Sequence, residues 1–360
     1  MTDLLHPDER IPILRVIDAA ANRAREGLRV VEDYVRFVLD DRHLTEQCKQ
    51  LRHDLAAVLR RLPAGHLQAA RETQADVGTT VTTASEQHRS CAASVATANL
   101  VRLQESLRTL EEFGKTLDTA LAAELEQLRY RSYTLQRAVE ITGSSLDRLA
   151  TARLYVLLDG RASAEELARL ARSLIAAGVH LLQLRDKHLD DRELLQRARV
   201  LREATAGTGT LFIVNDRPDL ARLARADGVH VGQTELSVKD VRAIVGPQLL
   251  IGVSTHSIAQ ARQAVLDGAN YLGVGPTFPS ATKQFEHFPG LDFVRAVADE
   301  IRLPAFAIGG ITRENLEQVL SAGLRRVAVS GAISAAANPA AAAREILAKM
   351  DKIPPGDQHC

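Results

Sequence analysis

Polar residues that could do chemistry stand at the ends of short apolar runs in the second half of the chain. Asn215 and Asp216 follow the run LFIV, the preceding run leads to Arg185 and Lys187, and a later run leads to Glu235. Carboxylates suit Mg²⁺, which keeps several waters and is held by one or two carboxylates together with substrate phosphates. Arginine and lysine bind phosphate, arginine through two parallel hydrogen bonds and lysine as a point charge. The pattern therefore indicates a metal-assisted site for a phosphorylated substrate.

A second kind of phosphate site is indicated by glycines near the end of the chain. The last two apolar runs end in Gly309-Gly310 and Ser330-Gly331, and Lys283 adds a positive charge in the segment GPTFPSATK. Glycine lets backbone N–H groups approach a phosphate closely, as they do late in (β/α)8 barrels. A metal, a basic cluster and a separate glycine site together predict two anionic substrates, one of them a diphosphate.

The elements that must position these residues are short apolar strands separated by amphipathic helices. The runs are LYVLLD, VHLLQLRD, LFIVND, GVHVG, LLIGVS, YLGVG, AFAIGG and RVAVSG. Continuous apolar strands are typical of parallel sheets covered on both faces, and eight successive units favour a closed (β/α)8 TIM barrel over an open sheet. In such a barrel the carboxyl ends of the strands meet at one mouth, so we expect the polar residues to converge there.

The first half has a different period, with apolar residues three and four apart up to about Gly143. This spacing predicts an all-helical domain. We therefore expect an α/β chain with a helical domain over residues 1–143, a linker over 144–152, the barrel over 153–350 and a tail over 351–360. The motif E-x-L-R-x-x-E occurs twice in the helical half, beginning at Glu26 and at Glu105. It indicates either salt-bridged, solvated helix faces or a polar site between two helices.

Composition excludes several classes of protein. Lysine plus arginine equal aspartate plus glutamate at 45 each, so no overall charge recruits nucleic acid or an anionic membrane. The three cysteines lack metal-ligand spacing, the first residues do not form a signal peptide, and no apolar stretch approaches the length of a membrane span. We expect a cytoplasmic protein with small-molecule substrates and neither nucleic acid nor membrane as a partner. A homo-oligomer stays open.

The motifs of the second half identify a family that the chain resembles. QLRDK, FIVNDRPDLA, GVHVGQTEL, GVSTHS, GVGPTFPSATK and AIGGI occur in this order between Arg153 and about Met350. They closely resemble thiamine-phosphate synthase. The resemblance implies a transferase that joins 4-amino-2-methyl-5-hydroxymethylpyrimidine diphosphate to thiazole monophosphate. Thiamine phosphate and diphosphate would form by Mg²⁺-assisted dissociative substitution.

The resemblance also assigns roles to individual residues. It implies that Asp216 and Glu235 hold Mg²⁺, although the family commonly has aspartate at the second position. The pyrimidine would contact Gln183. The diphosphate would be bound by Arg185, Lys187, Asn215, Ser254 and Lys283, and the thiazole phosphate by Ser280, Thr282, Gly310, Ser330 and Gly331. Of these residues, Arg185, Ser254 and Lys283 are assigned to catalysis. We expect His230 and His256 to have supporting roles.

Alternatives remain for both halves. The barrel could be a thiazole tautomerase or a non-catalytic sensor of thiamine phosphate. The helical half resembles the extension found in front of some thiamine-phosphate synthases, for which a hydroxymethylpyrimidine-phosphate kinase activity has been suggested. An interaction domain is the competing hypothesis, since residues 1–143 contain no G-x-x-x-x-G-K-[ST] loop. A polar site in this half would draw on Asn22, Arg25, Glu26, Arg29, Glu105 and Arg108.

Overall fold

The protein divides into two compact units, residues 1–143 and 144–360. The computed structural model describes residues 7–62, 64–71, 89–279 and 289–352. The first unit is helical and the second contains a closed parallel barrel, so the predicted fold class is confirmed.

Five helices account for the secondary structure described before the barrel. They are α1 (Pro7–Phe37), α2 (Arg42–Leu59), α3 (Ala64–Ala70), α4 (Ala92–Gly114) and α5 (Thr119–Arg148). α1 packs closely along α4, because Gly27 leaves room for the neighbouring backbone. A Cβ atom at Gly27 would lie 3.0 Å from the carbonyl oxygen of Asn99. The bundle core therefore depends on a small residue at this contact.

Both ends of α5 have a clear boundary in the structure. The helix begins at Thr119, directly after Asp118, which accepts hydrogen bonds from the N–H groups of Ala120 (2.8 Å) and Leu121 (3.3 Å). Such a carboxylate satisfies N–H groups that have no partner within the helix. At its other end α5 continues to Arg148, through much of the segment that was predicted as a linker.

Eight strands form the barrel: β1 (Leu154–Leu158), β2 (Leu181–Leu184), β3 (Leu211–Asn215), β4 (Gly228–Val231), β5 (Leu250–Thr255), β6 (Tyr271–Val274), β7 (Ala305–Ile308) and β8 (Val327–Val329). Each pairs in parallel with its neighbours, and β8 pairs with β1 to close the sheet. The helices between and after the strands are α6 (Ala164–Ala176), α7 (Asp191–Thr205), α8 (Pro218–Leu223), α9 (Val238–Val245), α10 (Ile258–Asp267), α11 (Gly290–Glu300), α12 (Leu316–Ser321), α13 (Gly331–Ser334) and α14 (Pro339–Lys352).

Side chains from the strands fill the barrel interior. The buried cluster consists of Leu149, Ala152, Tyr155, Leu181, Ile213, Leu250, Tyr271, Phe306 and Ala328. Leu149 and Ala152 follow α5 and belong to this core, so the predicted linker segment supplies core residues. Because side chains alternate between the two faces of a strand, a residue two positions beyond a core residue again points inward, nearer the mouth. Gln183 follows Leu181 in this way, and Asn215 follows Ile213.

Candidate active site

A cavity of about 580 Å³ opens where the strands end. It collects every described residue that was predicted to bind substrate: Gln183, Arg185, Lys187, Asn215, Ser254, Gly310, Ser330 and Gly331. These residues lie on, or directly follow, β2, β3, β5, β7 and β8. The convergence expected at the carboxyl ends of the strands is therefore present.

Two cations line one side of this cavity. Arg185 and Lys187 follow β2, and both side chains are exposed. Neither forms a salt bridge with a carboxylate of the residues that the structure describes. Their charge is therefore available for an anionic ligand, which would gain more from them than from cations already neutralised by neighbours.

Two carboxylates lie near the cations. Burial and the negative charge of Glu235 raise the pKa of Asp216, while Lys187 and Arg185 act in the opposite direction. Asp216 also has a left-handed backbone conformation, with φ of 61°, and its N–H donates to the carbonyl of His230 (2.8 Å). A non-glycine residue held in this conformation is uncommon, and such residues concentrate at functional sites.

The carboxylate pair has the donor chemistry that Mg²⁺ accepts. Asp216 and Glu235 repel each other, and a divalent cation between them would relieve that repulsion. Within the described ranges, no group of three or more histidine, cysteine, aspartate or glutamate residues is arranged to hold a metal ion. Two protein carboxylates with waters and phosphate oxygens would suit Mg²⁺, whereas a zinc site takes three or four protein ligands. The residues therefore fit Mg²⁺.

A hydrogen-bonded chain of side chains crosses the bottom of the cavity. The Gln183 amide donates to the Tyr155 hydroxyl, which lies 3.1 Å from the Tyr271 hydroxyl. The His230 imidazole continues the chain, with Nδ1 3.2 Å from the Tyr271 hydroxyl and Nε2 2.9 Å from Ser254 Oγ. The chain links the predicted pyrimidine contact to a predicted diphosphate contact.

Burial sets the protonation state in the middle of this chain. Burial, with the positive charge of Arg185 nearby, lowers the pKa of His230 to about 4. The imidazole is therefore neutral at neutral pH, with one ring nitrogen donating and the other accepting. Gly252 makes room for it, because a Cβ atom there would lie 2.5 Å from His230 Nδ1 and 2.1 Å from the Tyr271 ring.

The loops after β7 and β8 present backbone at the mouth. Gly309 and Gly310 have φ of 101° and 63°, and a Cβ atom on Gly310 would lie 2.7 Å from the carbonyl oxygen of Pro279. The Asn315 side chain holds this turn, since its amide donates to Gly310 O (2.8 Å) and its oxygen accepts from Thr312 N (2.8 Å). This geometry suits an anion bound by backbone N–H groups.

Several sequence predictions need comment. Ser280, Thr282 and Lys283 lie outside the described residues. Asp216 and Glu235 are not part of the cavity lining. Arg217, which follows Asp216, pairs with Asp191 and Asp219.

Other lining residues were not predicted, among them Tyr155, Tyr271 and Thr312. The two tyrosines belong to the apolar runs LYVLLD and YLGVG, which were predicted as strands. The alternation of side chains along a strand could have identified Tyr155 and Gln183 as inward-facing neighbours, because it places both inside the barrel.

The candidates in the helical unit form no comparable group. Arg25, Glu26, Arg29, Glu105 and Arg108 are exposed, and Arg108 pairs with Glu111 and Glu112 of its own helix. Asn22 donates to Asp18. The repeated motif instead supplies two buried glutamates: Glu32 pairs with Arg52 (3.0 Å) and Glu111 with Arg129 (2.7 Å). The last glutamate of each copy of the motif therefore forms an ion pair within the helical unit.

Comparison with known proteins is decisive for the barrel. The sequence model of the family described as thiamine monophosphate synthase matches residues 154–333. The thiamine-phosphate synthase of Rhodopirellula baltica is 48% identical over 331 residues, which cover 89% of this chain and 88% of that relative. The chain belongs to the thiamine-phosphate synthase family. It is therefore a transferase of thiamine biosynthesis, built on a TIM barrel.

Further relatives extend over both units. The thiamine-phosphate synthase of Gloeobacter violaceus is 45% identical, covering 94% of this chain and 97% of that relative. A solved thiamine phosphate pyrophosphorylase from Pyrococcus furiosus is 32% identical, with a TM-score of 0.51. The match covers 56% of this chain and 96% of the Pyrococcus furiosus chain. Residues 15–138 match the model of the ThiD2 family.

Among the described helices, none is long and apolar enough to cross a membrane.

Proposed function

We propose that the barrel joins 4-amino-2-methyl-5-hydroxymethylpyrimidine diphosphate to thiazole monophosphate, producing thiamine phosphate and diphosphate with Mg²⁺. One observation carries the proposal. A single cavity has two cations beside a carboxylate pair on one side and a glycine-rich backbone turn on the other. These two environments suit a diphosphate with its metal and a monophosphate, respectively.

The charged side of the cavity binds the leaving group. Arg185 and Lys187 hold the diphosphate oxygens, and Asn215 donates hydrogen bonds beside them. Mg²⁺, held by Asp216 and Glu235, would neutralise charge on the departing diphosphate. Groups aimed at the place where charge develops lower the barrier, because they stabilise the transition state more than the ground state.

The bottom of the cavity orients the pyrimidine. Gln183 has its amide fixed by Tyr155, and the neutral His230 fixes the Ser254 hydroxyl, so both contacts are held in defined orientations. Electron donation from the ring stabilises the cation left after the diphosphate departs. Walls formed by Tyr155, Tyr271 and Phe306 exclude water that would otherwise capture it.

The backbone side holds the second substrate. Gly310 and the Ser330-Gly331 segment, which line the cavity, bind the thiazole phosphate, and the thiazole nitrogen would then face the pyrimidine carbon. The carbon–oxygen bond breaks first and the diphosphate leaves with its electron pair. The thiazole nitrogen then forms the new bond to the carbon of the resulting cation. No protein nucleophile takes part. The work of the residues is therefore binding, orientation and charge stabilisation.

The test is formation of thiamine phosphate and diphosphate by the full-length chain from both substrates, with and without Mg²⁺. We expect product only with the metal. Asp216→Asn should lower the rate by at least about a hundredfold, and the matched control is Asp219→Asn, because Asp219 lies on the surface paired with Arg217. Equal turnover in a chelator, or by the Asp216→Asn variant, would contradict the proposal.

The same assay separates the alternatives. Tight binding of thiamine phosphate without turnover would favour the sensor. Isomerisation of the thiazole phosphate without use of the pyrimidine diphosphate would favour the tautomerase. That activity needs no diphosphate site, so the cations Arg185 and Lys187 argue against it.

A further inference from the structure

Asp186 stands between the two cations of the cavity and binds backbone instead of either of them. Its Oδ2 accepts from the N–H of Gly160 (2.9 Å), and its Oδ1 accepts from the N–H groups of His188 (2.8 Å) and Leu189 (3.2 Å). It is not part of the cavity lining. One carboxylate thus joins the loop after β2 to the loop between β1 and α6, residues 159–163, which we call the β1 loop.

These hydrogen bonds are strong ones. Burial acts against the charged form, but the three backbone N–H groups outweigh it and hold the pKa of Asp186 below its ordinary value. The carboxylate is ionised at neutral pH, and charge-assisted hydrogen bonds are about twice as strong as neutral ones. Gly160 is buried and leaves no room for a side chain, since a Cβ atom would lie 2.3 Å from Leu189 Cδ1 and 3.3 Å from Asp186 Oδ2.

The β1 loop also reaches the backbone side of the mouth. The Arg161 guanidinium donates to the carbonyl of Ser334 (2.5 Å), the last residue of α13. α13 begins at Gly331, next to Ser330. Arg161 has a left-handed backbone, with φ of 56°, and forms an ion pair with Asp159 (3.2 Å). The β1 loop therefore lies between the two anion-binding sides and is bonded to each.

A carboxylate among the cations has a cost for an anion site. Asp186 subtracts one charge from the positive field of Arg185 and Lys187, which weakens attraction for a diphosphate. The backbone contacts of Asp186 can compensate for this weaker attraction, because they hold the β1 loop in place before substrate binds. A flexible loop would have to be ordered each time substrate bound, and that ordering lowers affinity.

We infer that Asp186 and Arg161 are positioning residues for the transferase reaction, Asp186 fixing Arg185 and Lys187 against the β1 loop and Arg161 fixing the Ser330-Gly331 segment. The inference rests on the proposed function and deepens it. It predicts that each residue affects one substrate, since each is bonded to one side of the mouth.

Asp186→Asn is the sharpest variant. Its amide oxygen can still accept from His188 and Leu189, but its NH₂ group would face the N–H of Gly160, so only the bond to the β1 loop is lost. We expect the KM for the pyrimidine diphosphate and the Ki of inorganic diphosphate to rise about tenfold. The KM for the thiazole phosphate should stay within about twofold. Gly160→Ala, which pushes on the same contact from the other side, should give the same pattern.

Arg161→Gln should reverse the pattern, with a higher KM for the thiazole phosphate and an unchanged KM for the pyrimidine diphosphate. The matched control is Asp190→Asn. This residue caps α7 by accepting from the N–H of Glu193 (2.9 Å), a bond that asparagine can also make. We expect both KM values of this control to equal those of the unaltered chain.

The outcomes separate the inference from the function on which it rests. An unaltered chain without turnover contradicts the proposed function, and the inference is then tested by calorimetric binding of inorganic diphosphate to the same variants. Weaker binding by Asp186→Asn, with binding by Asp190→Asn unchanged, would support it. Unchanged diphosphate affinity, or a uniform fall in kcat with both KM values unchanged, would overturn it.

Discussion

Arginines in the two units of this protein have opposite surroundings. In the helical unit the buried Arg129 is bonded to Glu111, and Arg52 is bonded to the buried Glu32. At the barrel mouth Arg185 and Lys187 line a cavity and have no carboxylate partner among the described residues. Removing a cation paired with a buried carboxylate leaves that charge uncompensated, whereas a cation without a carboxylate partner can bind an anionic ligand. The difference locates anion chemistry in the barrel.

The largest expected effect is on the helical unit. Arg129→Ala leaves the Glu111 carboxylate buried with fewer partners, so we expect a loss of about 3 kcal/mol in the stability of this unit. Hydrogen exchange of the α4 and α5 amides measures it locally. Arg131→Ala is the control, because Arg131 forms an exposed pair with Asp54 that contributes about 1 kcal/mol or less. Equal losses of stability in the two variants would contradict the difference expected between the buried and the exposed ion pair.

The second effect is on turnover. Arg185→Ala should lower kcat/KM by about a hundredfold or more, because it removes a cation that faces developing negative charge. The melting temperature should not fall, since Arg185 is exposed and leaves no buried partner. Arg192→Ala, an exposed arginine of α7, controls for the loss of one surface charge. A variant at Arg185 that loses stability and keeps its activity would contradict the assignment.

Much of the fold could be predicted, for a clear physical reason. The strands β1 to β8 are buried on both faces, so each appears in the sequence as an almost uninterrupted run of apolar residues. The linker over 144–152 was harder to interpret, because its polar residues Ser144, Ser145 and Asp147 belong to the last turns of α5 while Leu149 and Ala152 enter the barrel core. Tertiary packing decided that segment, and local sequence pattern does not report it.

The residues of the site also divide into those that could be predicted from the sequence and those that could not. Charged and amide residues at strand ends, such as Arg185 and Asn215, stand out because they interrupt apolar runs. Tyr155 and Tyr271 do not stand out, because an aromatic residue in a barrel strand is expected in the core. Only the structure shows that their two hydroxyls are hydrogen-bonded to each other. The role of Asp186 depends on Gly160, which is distant in sequence, and only the folded chain brings them together.

A third prediction concerns the hydrogen-bonded chain below the cavity. Tyr271→Phe removes a hydroxyl shared by Tyr155 and His230, and leaves two buried groups with fewer partners. We expect a loss of about 1 to 2 kcal/mol in the stability of the barrel. Tyr130→Phe, at a half-exposed tyrosine of the helical unit, should change stability by about 0.5 kcal/mol or less. Hydrogen exchange measures both, read on the barrel amides for Tyr271→Phe and on the amides of the helical unit for Tyr130→Phe.

The smallest effect depends on pH. Burial and Glu235 raise the pKa of Asp216 in the folded chain, so its ionised form destabilises the metal-free protein above that pKa and the penalty disappears at pH values below the unfolded pKa. Asp216→Asn should therefore stabilise the chain in chelator at pH 7, by on the order of 1 kcal/mol or less after solvent screening, and should not do so near pH 3. Asparagine tolerates the left-handed backbone there. Melting temperatures of the variant and the unaltered chain at the two pH values measure this difference in stability. A lower melting temperature for the variant at pH 7 would contradict repulsion between the two carboxylates.

The central claim is that the cations Arg185 and Lys187 and the carboxylate pair of the barrel mouth together bind a diphosphate with Mg²⁺. Calorimetric titration of inorganic diphosphate into the full-length chain, with and without Mg²⁺, tests it most directly. We predict binding that Mg²⁺ strengthens, that Arg185→Ala weakens by about tenfold or more, and that Arg131→Ala leaves unchanged. Equal affinity in the unaltered chain and in Arg185→Ala, or no effect of Mg²⁺ on binding, would contradict the account.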